Sequence, residues 1–189
     1  MGYDYSDLKG LSLDHRFIGG NHDHWDVIAL ESNYLGRYGS DSLGGEKFFY
    51  VSGAFSIDKH RRQEAQLRGW PKTWFDNEEL SYPEGKRCIK QYEKEKPDIV
   101  FSHDCPHVVS GLINRGNTKT LRSYGYDPQK FVTITQIILQ QMFEIHKPKY
   151  WVFGHHHQDN SVMVEHYETL FVCLNELSTL TIDNGKLIS

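Results

Sequence analysis

The chain has 189 residues, a length that suits one compact domain and leaves little room for a second. Its 21 lysine and arginine residues are outnumbered by 25 aspartate and glutamate residues, which gives a formal net charge of −4. This balance argues against a protein that binds nucleic acid through a broad basic surface. Hydrophobic residues make up 38% of the chain, which is the composition of a folded protein and not of a disordered segment.

The sequence indicates neither a membrane span nor a disulfide framework. No apolar run approaches the roughly 18 residues that cross a bilayer, so we expect no membrane partner. The cysteines Cys88, Cys105 and Cys173 are far apart and form no paired pattern. Because this usage is typical of a reducing compartment, we expect a cytoplasmic protein. The unusual feature of the composition is its 11 histidines.

Hydrophobic periodicity predicts short buried strands that alternate with helices in a single domain, residues 1–189. The best-marked helix is expected to have Asp127 as its cap and Pro128 in its first turn, and to end at Pro148. In chain order, the predicted elements are a strand over 16–18, a helix over 25–33, a strand over 46–54, helices over 60–68 and 85–96, a strand over 98–101, the helix after Asp127, a strand over 149–153 and a meander of short strands that turns at Asn184-Gly185.

Three of the predicted buried strands run directly into a turn that contains histidine. The turns are GNHD at 20–23, SHD at 102–104 and GHHH at 154–157. Since strand ends in a sheet covered by helices lie along one rim, we expect these distant turns to meet. Imidazole is a common ligand of Zn, Mn or Fe, and an Asn carbonyl oxygen suits a harder ion. Together the turns predict a metal site, although a polar surface turn is the alternative for any one of them.

Residues near these turns are weaker candidates. His24 directly follows the GNHD turn and is a candidate substrate contact. Arg115 belongs to a loop of ordinary composition, but its guanidinium could contact a phosphate. Cys105 follows the SHD turn, and because no base and orienting residue can be identified around it, we interpret it as a packed small residue.

The three motifs, in this order, resemble the calcineurin-like metallophosphoesterases. The segments FFYVSGAFSID at 48–58 and DIVFSHDCP at 98–106 are similar to the small bacterial and phage members, and the resemblance covers essentially the whole chain. It implies an α/β (α+β) fold, a β-sandwich flanked by helices, with two divalent ions (Mn, Fe, Zn or Ni) at the rim of the sheets. It also implies hydrolysis of a phosphate ester by a hydroxide that bridges the ions.

The resemblance also implies a role for each matching residue. The ligands of one ion would be Asn21, His103 and His155, and His157 would bind the other ion. His22 would face the substrate as a general acid or stabiliser of the transition state, and Asp23 would orient its ring. His156 is expected to point away, because alternate residues of an extended turn face opposite sides.

The chain departs from the family pattern at its beginning. The D-x-H and G-D-x-x-D motifs that open the pattern are missing, and upstream of Asn21 only Asp4, Asp7, Asp14 and His15 offer similar ligands. We therefore expect a fold without its first strands, in which one ion or none is bound well. The missing motifs could lie upstream in the native protein, be supplied by a second chain, or have been lost.

Three functions remain open from the sequence. The first is a metal-dependent phosphoesterase that acts on a phosphomonoester or phosphodiester. The second is a catalytically impaired binding or regulatory module, or half-enzyme, on the same scaffold, which has no reason to retain His22. The third is a nuclease, which the net charge disfavours, although Arg61, Arg62, Arg68 and Lys72 could form a local basic patch.

Overall fold

The computed structural model describes residues 14–114, 118–164 and 167–188. Its main feature is a mixed six-stranded sheet with strand order β1-β2-β3-β4-β6-β5. The strands β2, β3, β4 and β6 are parallel, and an antiparallel strand lies at each edge. The strands are β1 Tyr38–Leu43, β2 Glu46–Val51, β3 Ile99–Ser102, β4 Tyr150–Phe153, β5 Asn160–Met163 and β6 Leu170–Cys173, followed by a hairpin of β7 Thr181–Asp183 and β8 Lys186–Ile188.

The helices and the strand register place the main core on one face of the sheet. The helices are α1 Trp25–Ile28, α2 Lys59–Leu67, α3 Tyr82–Glu95, α4 His107–Ile113, α5 Thr118–Ser123 and α6 Ile134–Ile145. Phe49, Val100, Trp151 and Phe171 are aligned across the four parallel strands, so they share a face. They pack with buried residues of α3, α4 and α6. Each such large apolar side chain contributes about 1.5–3 kcal/mol through burial.

The opposite face of the sheet is covered by other segments. Phe48, Tyr50 and Ile99 are buried there and contact Ile18 from the segment before α1 and Ile182 from β7. The sheet therefore has helices on one face and the β7–β8 hairpin on the other, so the second β layer among the described residues consists of two strands. None of the described helices is long and apolar enough to span a membrane.

The start of α6 differs from the prediction. Thr133, and not Asp127, caps the helix: its side chain accepts a hydrogen bond from the backbone of Gln136 at 3.1 Å, and Gln136 completes a capping box. Asp127 instead accepts from the backbone nitrogen of Gln129 at 3.0 Å, which stabilises a separate turn. A good N-terminal signal was therefore present at both positions, and the extended residues between them separate the turn from the helix.

Other differences concern short elements. The predicted strand over 16–18 forms only a single bridge, between Phe17 and Tyr34. The predicted helix over 25–33 is limited to one turn, Trp25–Ile28. The edge strand β1 was not predicted, because only one of its six residues is buried and it shows little hydrophobic alternation. The helices α4 and α5, only seven and six residues long, were not predicted either.

Candidate metal centre

The parallel strands bring two of the histidine turns together. The register pairs Ser102 at the end of β3 with Phe153 at the end of β4, so the residues that follow are neighbours. The backbone nitrogen of Gly154 accordingly donates to the carbonyl oxygen of His103 at 3.2 Å. The GHHH turn then bends sharply, with positive φ at His155 (65°) and His157 (51°). Strand order alone therefore explains why residues so far apart in the chain meet.

The GNHD turn is attached to the same rim through β2. The backbone nitrogen of Gly53, just after β2, donates to the carbonyl oxygen of Gly19 at 2.8 Å. Gly20 then passes so close to the His103 ring that a Cβ there would lie 2.9 Å from Cε1. Glycine is required at this position because any larger residue would push the two turns apart.

Asn21 and His103 are in direct contact although they are 82 residues apart: Nε2 of His103 lies 2.9 Å from Oδ1 of Asn21. The amide of Asn21 is oriented by Ser56, whose hydroxyl accepts from Nδ2 at 2.9 Å. The same hydroxyl donates to the buried carboxylate of Glu78 at 2.6 Å. Because Ser56 takes up the amide nitrogen, the amide oxygen faces His103. Ser56 lies in the FFYVSGAFSID segment, but nothing in the sequence assigned a role to it or to Glu78.

His155 lies beside this pair. The rings of His103 and His155 are edge to face, with centroids 5.1 Å apart. Burial, together with the neighbouring His155, lowers the pKa of His103 to about 3. Burial lowers the pKa of His155 to about 4, against the opposing effect of Asp104. Both imidazoles are therefore neutral at neutral pH and retain a lone pair, and with the amide oxygen of Asn21 they form a donor set that fits one divalent ion.

His22 contacts the predicted ligand Asn21 through the amide nitrogen and not through the oxygen that faces His103. Its Nε2 lies 3.3 Å from Nδ2 of Asn21, on the opposite side of the amide from the oxygen, and 3.1 Å from Nη2 of Arg62. Burial and the charge of Arg62 lower the pKa of His22, so the ring is neutral at neutral pH. Since amide and guanidinium nitrogens only donate, Nε2 accepts and the proton of the neutral ring is on Nδ1.

Asp23 and His24 flank the predicted centre and contact other parts of the chain. Oδ2 of Asp23 accepts from the backbone nitrogen of Gly20 at 2.6 Å, which stabilises the GNHD turn. Nδ1 of His22 has no hydrogen-bond partner, so Asp23 does not orient that ring through a hydrogen bond. The His24 ring packs against Phe75, with centroids 4.6 Å apart. Arg115, the other candidate substrate contact, lies outside the described residues.

The two remaining histidines of the GHHH turn face different surroundings. His156 donates from Nε2 to Oδ1 of Asp104 at 3.0 Å and accepts at Nδ1 from Asn114 at 3.0 Å. His157 lies at the cleft, but its Nδ1 is 2.8 Å from Oε1 of Glu176, and the two side chains are 68% and 75% exposed. The ring of His156 is thus held by Asp104 and Asn114, and the left-handed φ values of His155 and His157 show that the turn is not the extended segment assumed in the prediction.

A second group of donor atoms was not expected from the sequence. Atoms of Asp104, Cys105 and His156 lie within 4.8 Å of one another and could hold a metal ion. The hydrogen bonds of His156 with Asp104 and Asn114 already use both of its ring nitrogens. Although burial opposes ionisation, the hydrogen bond from His156 keeps the pKa of Asp104 at about 2, so the carboxylate is charged. These contacts connect the end of β3 to the end of β4.

The described residues do not complete a site for a second ion around His157. In 14–114, 118–164 and 167–188, the only cluster of three His, Cys, Asp or Glu ligands is the Asp104 group. Of the upstream residues singled out from the sequence, Asp14 and His15 are exposed, and Asp4 and Asp7 lie outside the described residues. Within those ranges, Asn21, His103 and His155 offer donors for one ion, and no further cluster of His, Cys, Asp or Glu forms around His157.

A cleft of about 590 Å³ opens over this centre. Asn21, His22 and the three histidines of the GHHH turn line one side of the cleft. Phe55, Tyr124 and Phe131 line another part of it, so a small organic group has an apolar surface beside the polar one.

Comparison with protein families matches residues 3–159 to the calcineurin-like phosphoesterase model. The chain belongs to the calcineurin-like phosphoesterase family. Enzymes of this family generally depend on two metal ions. The match includes all three histidine turns, from GNHD through GHHH.

Two curated relatives of this phosphoesterase-family chain are lariat debranching enzymes. The protein from Entamoeba histolytica is 26% identical over 179 residues, which cover 85% of this chain and 47% of the relative. The protein from Schizosaccharomyces pombe is 22% identical over 163 residues, which cover 79% of this chain and 34% of the relative. The chain thus spans less than half the length of each of these relatives.

Proposed function

We propose that this chain is a metal-dependent phosphoesterase that hydrolyses a phosphomonoester or a phosphodiester. The observation that carries the proposal is the contact between Asn21 and His103, 2.9 Å apart, with the neutral His155 beside them. The two imidazoles and the amide of Asn21 are uncharged polar groups, which are costly to bury without polar partners. A divalent ion is the partner that this combination of amide oxygen and imidazole nitrogens suits.

Different residues of the chain would bind the metal ion and act on the substrate in such a reaction. Asn21, His103 and His155 would hold the ion, and Ser56 with Glu78 orients the amide of Asn21. A bound divalent ion would polarise a phosphoryl oxygen of the substrate and activate a water molecule for attack. His22, at the cleft beside Asn21, is placed to stabilise the transition state or to move a proton at the leaving oxygen.

The proposal is tested by metal binding and hydrolysis. The purified chain should bind Mn²⁺ in a calorimetric titration and hydrolyse p-nitrophenyl phosphate or its bis-ester in a Mn²⁺-dependent way. His103→Ala removes a ligand and should lower both Mn²⁺ affinity and turnover. His60→Ala, an exposed histidine on α2, is the matched control and should change neither. A chain that neither binds Mn²⁺ nor hydrolyses either ester, or a His103→Ala variant that keeps both properties, would contradict the proposal.

A nuclease is the second candidate, and the relatives favour it. Both are lariat debranching enzymes, although each matches this chain at 26% identity or less. The aromatic side chains of Phe55, Tyr124 and Phe131 at the cleft are also of a kind on which nucleobases stack. Hydrolysis of linear and branched RNA oligonucleotides, compared with the p-nitrophenyl esters at equal concentration, separates the two candidates. Cleavage of the esters alone would exclude the nuclease.

A further inference from the structure

The positively charged side chain of Arg62, on α2, lies next to the candidate site. Nη2 of Arg62 lies 3.1 Å from Nε2 of His22. His22 and Asp58, which both contact Arg62, line the cleft. The guanidinium therefore contacts two cleft-lining side chains, one of which, His22, neighbours the predicted ligand Asn21.

The guanidinium is held in one orientation. Its Nε donates to Oδ2 of Asp58 at 2.7 Å, and its Nη1 donates to the carbonyl oxygen of Thr73 at 3.3 Å. These two contacts fix the plane of the group and leave Nη2 directed at His22. A negatively charged phosphoryl oxygen makes a short and strong charge-assisted hydrogen bond with a guanidinium held in this way. The planar guanidinium is also the side chain that best matches phosphate.

Two other arginines, Arg61 on α2 and Arg68 directly after it, have different contacts from Arg62. Arg61 stacks on Tyr124, 4.3 Å from the ring centroid, and donates to the carbonyl oxygen of Ser123 at 3.5 Å. Arg68 pairs with Glu64 at 3.9 Å, and both are largely exposed. Arg62 makes the same i,i+4 ion pair as Arg68, but it is the arginine that contacts His22. In a chain of net charge −4, a fixed cation at this point offsets Asp58 and the charge of an anionic substrate.

We propose that Arg62 is a substrate-binding residue whose guanidinium contacts a phosphoryl oxygen of the ester held beside Asn21, His103 and His155. This inference rests on the proposed phosphoesterase function. In the structure the Nη2 position is taken by Nε2 of His22, so substrate binding exchanges one acceptor for another without moving the Asp58 ion pair.

The direct test is the affinity of the Mn²⁺-loaded chain for inorganic phosphate, measured by titration calorimetry. Arg62→Ala should weaken phosphate binding about 10–100-fold, the factor expected for a lost hydrogen bond to a charged group. Arg62→Lys keeps the charge but not the planar guanidinium. Its affinity for phosphate should fall between that of the parent and that of Arg62→Ala. Arg68→Ala is the matched control and should bind phosphate like the parent. Unchanged affinity in Arg62→Ala, equal loss in Arg68→Ala, or no phosphate binding by the parent would overturn the inference.

Turnover separates phosphate binding from a purely structural role. Millimolar guanidinium chloride should restore hydrolysis by Arg62→Ala, because the free ion can occupy the vacated position, and it should not restore hydrolysis by His103→Ala. A lower Tm with no rescue would show that Arg62 only anchors α2, and would overturn the inference. Where Arg62→Ala fails to fold, Arg62→Lys carries the same comparison. Failure of the parent to hydrolyse any ester contradicts the proposed function, whereas the phosphate titration tests Arg62 separately.

Discussion

The two ring nitrogens of His22 have different surroundings. Nε2 accepts from Asn21 and Arg62, whereas Nδ1 is buried without a hydrogen-bond partner. Neither contact involves the amide oxygen of Asn21 that faces His103. A residue placed this way can act on the substrate without taking part in metal binding.

Replacing His22 by alanine should therefore lower kcat and leave the bound metal unchanged. The expected loss is about 10²–10⁴-fold, the range for a residue that moves a proton in the transition state. Steady-state hydrolysis and elemental analysis of the dialysed protein measure the two quantities. His103→Ala serves as the opposite control, with lower metal content. Loss of metal from His22→Ala would show that His22 is itself a ligand.

At the level of elements, the end of β2 determines where the GNHD turn lies. Gly53 has φ of 87°, in the left-handed region, and its backbone nitrogen donates to Gly19. A Cβ at Gly53 would lie 2.1 Å from the carbonyl oxygen of Glu78. Since Glu78 supports Ser56 and thereby Asn21, a shift at this point affects both the fold and the metal centre.

Gly53→Ala should lower the free energy of unfolding more than Gly44→Ala. At Gly53 the cost combines about 1–2 kcal/mol for left-handed backbone with about 1–3 kcal/mol for overpacking. Gly44, in the β1–β2 turn, has φ of 60° and no atom within 4 Å of its added Cβ, so only the first cost applies. Urea denaturation of both variants measures the difference. Equal losses would show that the segment bearing Glu78 moves aside freely.

At the level of the whole molecule, Glu79 connects the segment before α3 to α6. Its carboxylate accepts from the backbone nitrogen of Thr135 at 2.9 Å and from the Thr135 hydroxyl at 3.1 Å. Burial nevertheless raises the pKa of Glu79 above its ordinary value of 4.5. A proton is then bound more tightly in the folded state than in the unfolded state, so the contribution of Glu79 to stability decreases as pH rises through the folded pKa.

Glu79→Gln keeps an acceptor oxygen for Thr135 and removes this titration. The Tm of Glu79→Gln relative to that of the parent should rise as pH increases from about 4.5 and should level off once Glu79 is ionised. Circular dichroism at a series of pH values measures the difference. A repeat at high salt is the control, because salt screens charge pairs and has little effect on desolvation. A difference that stays constant or falls with pH would contradict the prediction.

The sequence contained enough to predict most of the main strands in chain order and to suggest that the histidine turns would meet at one rim. Buried strands such as residues 98–101 are apolar runs followed by a polar turn, and the structure places strand β3 at Ile99–Ser102 with His103 directly after it. Periodicity also predicted α6, but two competing caps, at Asp127 and Thr133, left its start undecided. The edge strand β1 could not be identified, because exposed side chains lack hydrophobic alternation.

What the sequence by itself determined is the set of residue types at three strand ends, and hence the family. Only the tertiary structure decided which groups surround them. Ser56 and Glu78 orient Asn21, Arg62 contacts His22, and His156 bonds to Asp104. These contacts depend on distances between segments far apart in the chain, and common polar side chains at irregular spacing carry no local signal of them.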